Sequence, residues 1–161
     1  ATLYPAEEYN NCPVAMMPLS YDWTALKNKI DAMQPSGNTN ITIGLAWAWQ
    51  TLTGNSPFPA PAKSPNYQYQ DVIILLTDGE NTQNRFSSRQ NDIDTRTKKA
   101  CANAKAANIT IYTILVMQGT QSLLQSCASD SSKYFYLTSA DQLIAAFDSI
   151  GTSLSNLRIA N

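Results

Sequence analysis

The sequence predicts an α/β fold built on an open, mostly parallel sheet flanked by helices. Three observations predict it. Residues 72–76 (VIILL) and 109–117 (ITIYTILVM) are apolar runs of strand length, the first uninterrupted and the second rich in β-branched residues. Segments with helical spacing of apolar residues alternate with them. The run at 72–76 leads straight into the polar, glycine-broken turn TDGEN, as strands do where open sheets bind ligands.

Element by element, residues 1–13 are polar and irregular, and VAMMPLS (14–20) reads as a short strand ending at Pro18. In YDWTALKNKIDAM, Trp23, Leu26, Ile30 and Met33 share a helical face expected to be core; QPSGN ends that helix. TNITIGLAWAWQTL is a loop followed by a helix with Leu45, Trp49 and Leu52 inward. The stretch 53–70 is a loop stiffened by Pro57, Pro59, Pro61 and Pro65. The strand at 72–76 is expected to be buried on both faces. A polar loop precedes a helix over about 94–107, small on its inner side at Ala100, Cys101, Ala104 and Ala107, with Asn108 as its C-terminal cap. After the strand at 109–117, TQSLLQSCA gives one or two helical turns and KYFYLT (133–138) a further strand. Ser139 and Gln142 form a capping box for a final helix over about 141–156, with Leu143, Phe147, Ile150 and Leu154 inward.

Bulk composition narrows the function. The 161 residues are 43% hydrophobic and only 14% charged, with net charge -1 and a pI near 5.2. No basic patch points to nucleic acid, and no apolar run is long enough to span a membrane. Histidine is absent and no C-x-x-C pair occurs, which argues against zinc and against imidazole-activated nucleophiles. The cysteines Cys12, Cys101 and Cys127 fit one disulfide plus a thiol paired elsewhere, or three buried thiols. The opening ATLYPAEEYNNCP has neither an initiating Met nor a signal peptide, so a fragment or processed form of a longer protein is expected.

The chemistry centres on Asp78, at the end of DVIILLTD. A carboxylate there can ligate a metal, act as a catalytic acid or nucleophile, or cap the turn before Gly79. In SGNTNITIGL, Thr39 and Thr42 lie in a polar loop before a helix, where hydroxyls either ligate or cap the helix N-terminus. A hydroxyl and a carboxylate at adjacent loop mouths, without histidine, suit a hard oxygen-seeking cation such as Mg²⁺.

GNTNITIGLAWAW followed by DVIILLTDGENT resembles the later half of a von Willebrand factor type A domain. That family carries a metal-ion-dependent adhesion site made of Asp-x-Ser-x-Ser on its first strand, a loop threonine and a strand-end aspartate. The resemblance implies Thr39 and Asp78 as ligands of Mg²⁺, or of Mn²⁺ or Ca²⁺. It makes Ser36, Gly37, Asn38, Asn40, Gly79, Glu80 and Asn81 the flanking residues. More narrowly, PLS, LLTDGENTQNR, ITIYTI, LLQSCASD and AFDSIGTSLSNLRI are similar to the bacterial TadG-like proteins of tight-adherence pilus loci. Residues 1–161 then form a partial domain, with 1–13 as lead-in and 53–70 as a Pro-rich insertion. Asp-x-Ser-x-Ser occurs nowhere, so the family's first strand is expected upstream, metal binding by this piece alone is expected to be weak or absent, and the sheet is expected to have an open edge covered by a partner chain or an upstream segment. The resemblance also implies a disulfide between Cys101 and Cys127, an upstream partner for Cys12, and a periplasmic or extracellular place in a bacterial cell envelope with a membrane anchor upstream.

The function these readings imply is a non-enzymatic adhesion or assembly module of a bacterial pilus or surface system, binding a protein partner through the cation. One alternative is a structural fragment with a vestigial metal site. Another is an Asp78-dependent hydrolase or phosphotransfer enzyme, opposed by the missing histidine and phosphate-binding loops and by the lack of a second clustered carboxylate. Trp23 and Trp49 are read as core. Trp47 is either exposed or covered by the Pro-rich loop, and the NIT sequons at Asn40 and Asn108 are incidental in a bacterial protein.

Overall fold

In the computed structural model, which describes residues 14–53, 58 and 62–156, three parallel strands lie in the order β1–β2–β3: Val72–Thr77, Thr110–Val116 and Tyr134–Leu137. Ile73 registers with Ile111, Thr77 with Leu115 and Val116 with Leu137. Helices α1 (Trp23–Asp31) and α2 (Ile41–Leu52) precede β1; α3 (Gln90–Ala106) joins β1 to β2, α4 (Gln121–Cys127) joins β2 to β3, and α5 (Leu143–Asn156) follows. The parallel α/β architecture flanked by helices is the one the sequence predicts.

β2 has a hydrophobic cluster on each face. On one side Ile111 and Leu115 meet Ile73 and Leu75 of β1, Ile41 and Leu45 of α2, Cys101 and Ala104 of α3, and Leu123, Leu124 and Cys127 of α4. Trp49 and Leu52 pack against this cluster as expected. On the other side Tyr112, Ile114 and Val116 meet Leu137 and the α5 residues Ala146 and Ile150, with Leu143 and Leu154 against them. Phe147, expected inward, is exposed, and Ala146 takes the inner position. Cys101 and Cys127 form a disulfide between α3 and α4, Cα atoms 5.0 Å apart.

The end of α3 shows how sequence sets a boundary. Asn108, at φ 66, follows the cap residue Ala107. Its N–H reaches Lys105 C=O at 3.0 Å, and Ile109 N–H reaches Ala104 C=O at 3.1 Å. That double closure, with Ile109 and Ala104 both in the core, is a Schellman motif. Ala107, expected on the inner side, is exposed.

Other expectations fail for physical reasons. Residues 14–20 form no strand; Pro18 can give no ladder hydrogen bond and no neighbouring strand is at hand among the described residues. α3 begins four residues early because Ser87, Arg89 and Asp92 bond to one another at its start. Ser139 makes no side-chain cap; Gln142 Oε1 instead accepts Thr138 N–H at 2.7 Å, and a 3₁₀ turn over Ala140–Gln142 precedes α5. β1 is buried on one face only. On the other, Val72 packs against the cluster of β2, β3 and α5, while Ile74 and Leu76 are exposed. Trp23 is 75% exposed, and Ile30 and Met33 are exposed with it, so α1 forms without burying its apolar row among the described residues. Trp47 is partly exposed and stands edge-on to Phe58. Cys12, the lead-in 1–13 and most of the Pro-rich stretch lie outside the described residues.

Among the described residues the outer side of β1 has no strand partner. Thr110 N–H donates to Asp71 C=O at 2.9 Å, which turns the main-chain groups of residues 71, 73, 75 and 77 toward β2. Those of Val72, Ile74 and Leu76 therefore point away, to an edge where no described strand pairs.

Candidate metal site at the strand-end rim

Two loops meet beyond the C-terminal end of β1. One is residues 36–40, leading into α2; the other is the turn at 78–83. Main-chain and side-chain atoms share the joining. Thr39 N–H donates to Thr82 Oγ1 at 2.8 Å, and Thr39 C=O accepts Thr82 N–H at 3.0 Å. Asn38 Nδ2 reaches Gln83 Oε1 at 2.6 Å, and Asn40 Nδ2 reaches Gln83 C=O at 3.1 Å. Gly37, at φ 84, makes the bend that leads in.

The joint is anchored from beneath by Asn81. Expected as a flanking residue, it is only 2% exposed. Its Oδ1 accepts Ile41 N–H at 2.8 Å, and its Nδ2 donates to Asp94 Oδ1 at 2.8 Å and Thr97 Oγ1 at 3.3 Å. Thr97 shares a 2.7 Å hydrogen bond with Thr42. One amide thus ties the β1 turn to the starts of α2 and α3. A buried amide with both ends satisfied fixes a geometry, because any displacement strands a polar group. Nothing in the sequence separates Asn81 from the other asparagines of its polar loop.

The capping alternatives raised for Thr39 and Asp78 are filled by other residues. Asn40, not Thr39 or Thr42, caps α2, its Oδ1 accepting Ile43 N–H at 3.3 Å. Thr77, not Asp78, closes the turn: its hydroxyl accepts Gly79 N–H at 3.3 Å and donates to Gly79 C=O at 3.2 Å. The Thr39 hydroxyl and the exposed Asp78 carboxylate have no hydrogen-bond or ion-pair partner among the described residues. Glu80 and Ser36 are exposed beside them.

A hydroxyl and a carboxylate oxygen match a hard divalent cation in kind, and two donors leave most of its coordination to water and to groups from elsewhere. No cluster of three or more His, Cys, Asp or Glu suited to a metal occurs among the described residues. The rest of the rim is cross-bonded. Asn84 Oδ1 accepts the N–H groups of Phe86 and Ser87 at 2.7 Å each. The Ser87 hydroxyl and the Arg89 guanidinium hold Asp92 below the usual carboxylate range. After β2, Gly119 at φ 140 lies so close to the β1 turn that a Cβ there would stand 3.0 Å from Gly79 O.

Residues 8–149 match the family model of the von Willebrand factor type A domain. No curated protein matches the chain. Among solved structures, proximal thread matrix protein 1 (PTMP1) from the mussel byssus is similar at 25% identity and a TM-score of 0.54, over 79% of this chain. A second crystal form of that protein gives the same identity and TM-score. A third structure of it has a zinc-occupied metal-ion-dependent adhesion motif and is equally similar. The chain spans 28% of the length of the first of these structures and 27% of the second.

Proposed function

The chain belongs to the von Willebrand factor type A domain family, and on that premise we propose that it is a non-enzymatic adhesion or assembly module whose strand-end rim engages a protein partner through a divalent cation. The observation that carries this reading is the division of labour at the rim. Thr77 and Asn40 do the local capping, while the oxygens of Thr39 and Asp78 stay uncommitted on loops bonded to each other. In this proposal Thr39 and Asp78 hold Mg²⁺, or Mn²⁺ or Ca²⁺, as the resemblance implies. The cation, when bound, offers an open coordination position to a partner carboxylate. The zinc-occupied motif of the mussel byssus protein supports a divalent cation in this fold.

The proposal extends to the open edge of β1. A parallel strand added beside Val72, Ile74 and Leu76 would end next to Asp78, so the segment completing the sheet would also bring further oxygen donors to the cation. That segment is either upstream in the same protein or part of the partner. The finer setting we propose, a pilus or surface system of the TadG-like kind in a bacterial cell envelope, is supported by the sequence resemblance alone.

A second reading, a structural module with a vestigial metal site, is favoured by the two-donor set. Thermal melts with and without millimolar Mg²⁺ or Mn²⁺ separate the two. The adhesion reading expects the cation to raise the wild-type midpoint and to leave Asp78→Ala unmoved. Equal shifts in both proteins would overturn a cation held by Asp78, and no shift in either would favour the vestigial site for this chain alone.

A further inference from the structure

β2 ends in a backbone outlier. Met117, the first residue past the strand, has φ 60, a left-handed conformation that is unfavourable for any residue with a Cβ other than Asn or Asp. Gln118 N–H donates to Val116 C=O at 2.7 Å, so Met117 sits at the centre of a three-residue turn whose positive-φ form is the strained one. The neighbours hold it there: its N–H donates to Leu137 C=O at 2.7 Å, and its C=O accepts the Tyr136 hydroxyl at 3.3 Å. Glycine would adopt this geometry freely. The side chain present is a methionine, and it is 52% exposed. Backbone strain that keeps an apolar side chain in solvent does nothing for the core, and such outliers gather at functional sites.

Its position points the same way. Thr77 registers with Leu115, so Asp78 and Met117 both emerge just past the ends of adjacent strands, which run about 4.8 Å apart.

We propose that Met117 is the apolar contact surface of the partner site. The partner it fits is a protein segment carrying a carboxylate next to an apolar side chain, the carboxylate directed to the cation at Asp78 and the apolar group to Met117. The thioether's flexibility and polarisability suit an adaptable contact of this kind. The proposal rests on the cation reading above and names what else the partner meets at that rim.

The test is a yeast-displayed library of short random peptides selected on the whole chain in millimolar Mg²⁺. Selected clones are then measured against Met117→Gly, Met117→Leu and Asp78→Ala. The expected clones pair Asp or Glu with a neighbouring apolar residue. They weaken about tenfold on Met117→Gly and change little on Met117→Leu. Met117→Gly should melt no lower than wild type, which a purely structural role for the side chain would not combine with lost binding. Clones that need Asp78 and Mg²⁺ but ignore Met117→Gly overturn the Met117 proposal and leave the cation reading standing. Clones that need Met117 but neither Asp78 nor Mg²⁺ overturn the cation reading and keep the contact surface. A selection that yields no acidic clones counts against both.

Discussion

Asn81 Oδ1 accepts the backbone N–H of Ile41 at 2.8 Å, across forty positions of sequence. Thr39 lies two residues before one partner and Asp78 three before the other, so this bond sets the relation between the loops that carry the candidate ligands. Asn81→Ala leaves Asp94 Oδ1 and Ile41 N–H without their partner and should destabilise by about 2–3 kcal/mol in urea denaturation. It should also weaken any cation response that depends on Asp78. A loss below about 0.5 kcal/mol would show that the loops are held by other means.

The β2 turn makes the same demand sterically. A Cβ at Gly119 would stand 2.6 Å from Leu115 Cδ1 and 3.0 Å from Gly79 O, at a φ of 140 that side chains avoid. Gly119→Ala should therefore lower stability by about 1–3 kcal/mol and displace the turn that carries Asp78. Equilibrium unfolding, with the Gly79 amide resonance as a local probe, checks both parts.

Asp130 gives a pH signature away from the rim. Hydrogen bonding from Lys133, then from the Ser132 hydroxyl, lowers its carboxyl to about 2 from an ordinary 3.8. A carboxyl depressed in the folded state stabilises at pH above the unfolded value, and that contribution fades as pH falls toward the folded value. The melting difference between wild type and Asp130→Asn should stay constant above about pH 5 and close between roughly pH 4 and 2. A difference that stays flat across that range would refute the assignment. The group is at the surface, so the effect should also shrink in high salt.

The disulfide encloses a separation of 26 residues, and both sulfurs belong to fully buried cysteines. Replacing the pair with Cys101→Ala and Cys127→Ala should cost about 3 kcal/mol in denaturant unfolding. Folded protein should resist reductant at concentrations that readily reduce the unfolded chain. Rapid labelling of Cys101 in native, reductant-treated protein would contradict this.

What the residues disclosed in advance was local. The apolar runs at β1 and β2, the inner face of α2 at Leu45, Trp49 and Leu52, and the left-handed stop at Asn108 follow from patterning and backbone sterics, which act within a few positions. The disulfide and the ligand pair Thr39 and Asp78 follow from resemblance, and of these the structure forms the disulfide. What stayed hidden depends on distant neighbours. An all-apolar strand looks the same whether its second face is covered or, like Ile74 and Leu76, bare. The apolar row of α1 promised a core that the described residues do not supply. Asn40 took the cap from Thr39, and Asn81 left a polar loop for the interior, because each had a partner forty or so positions away.

The unpaired side of β1 carries a safeguard against self-recognition. Asp71 and Asp78 stand at the two ends of that strand, and charged residues along a border discourage unregulated strand pairing. A carboxylate suited to gripping a cation thus also acts as a sentry for solubility, and acid or a neutralising exchange at both ends would stand it down.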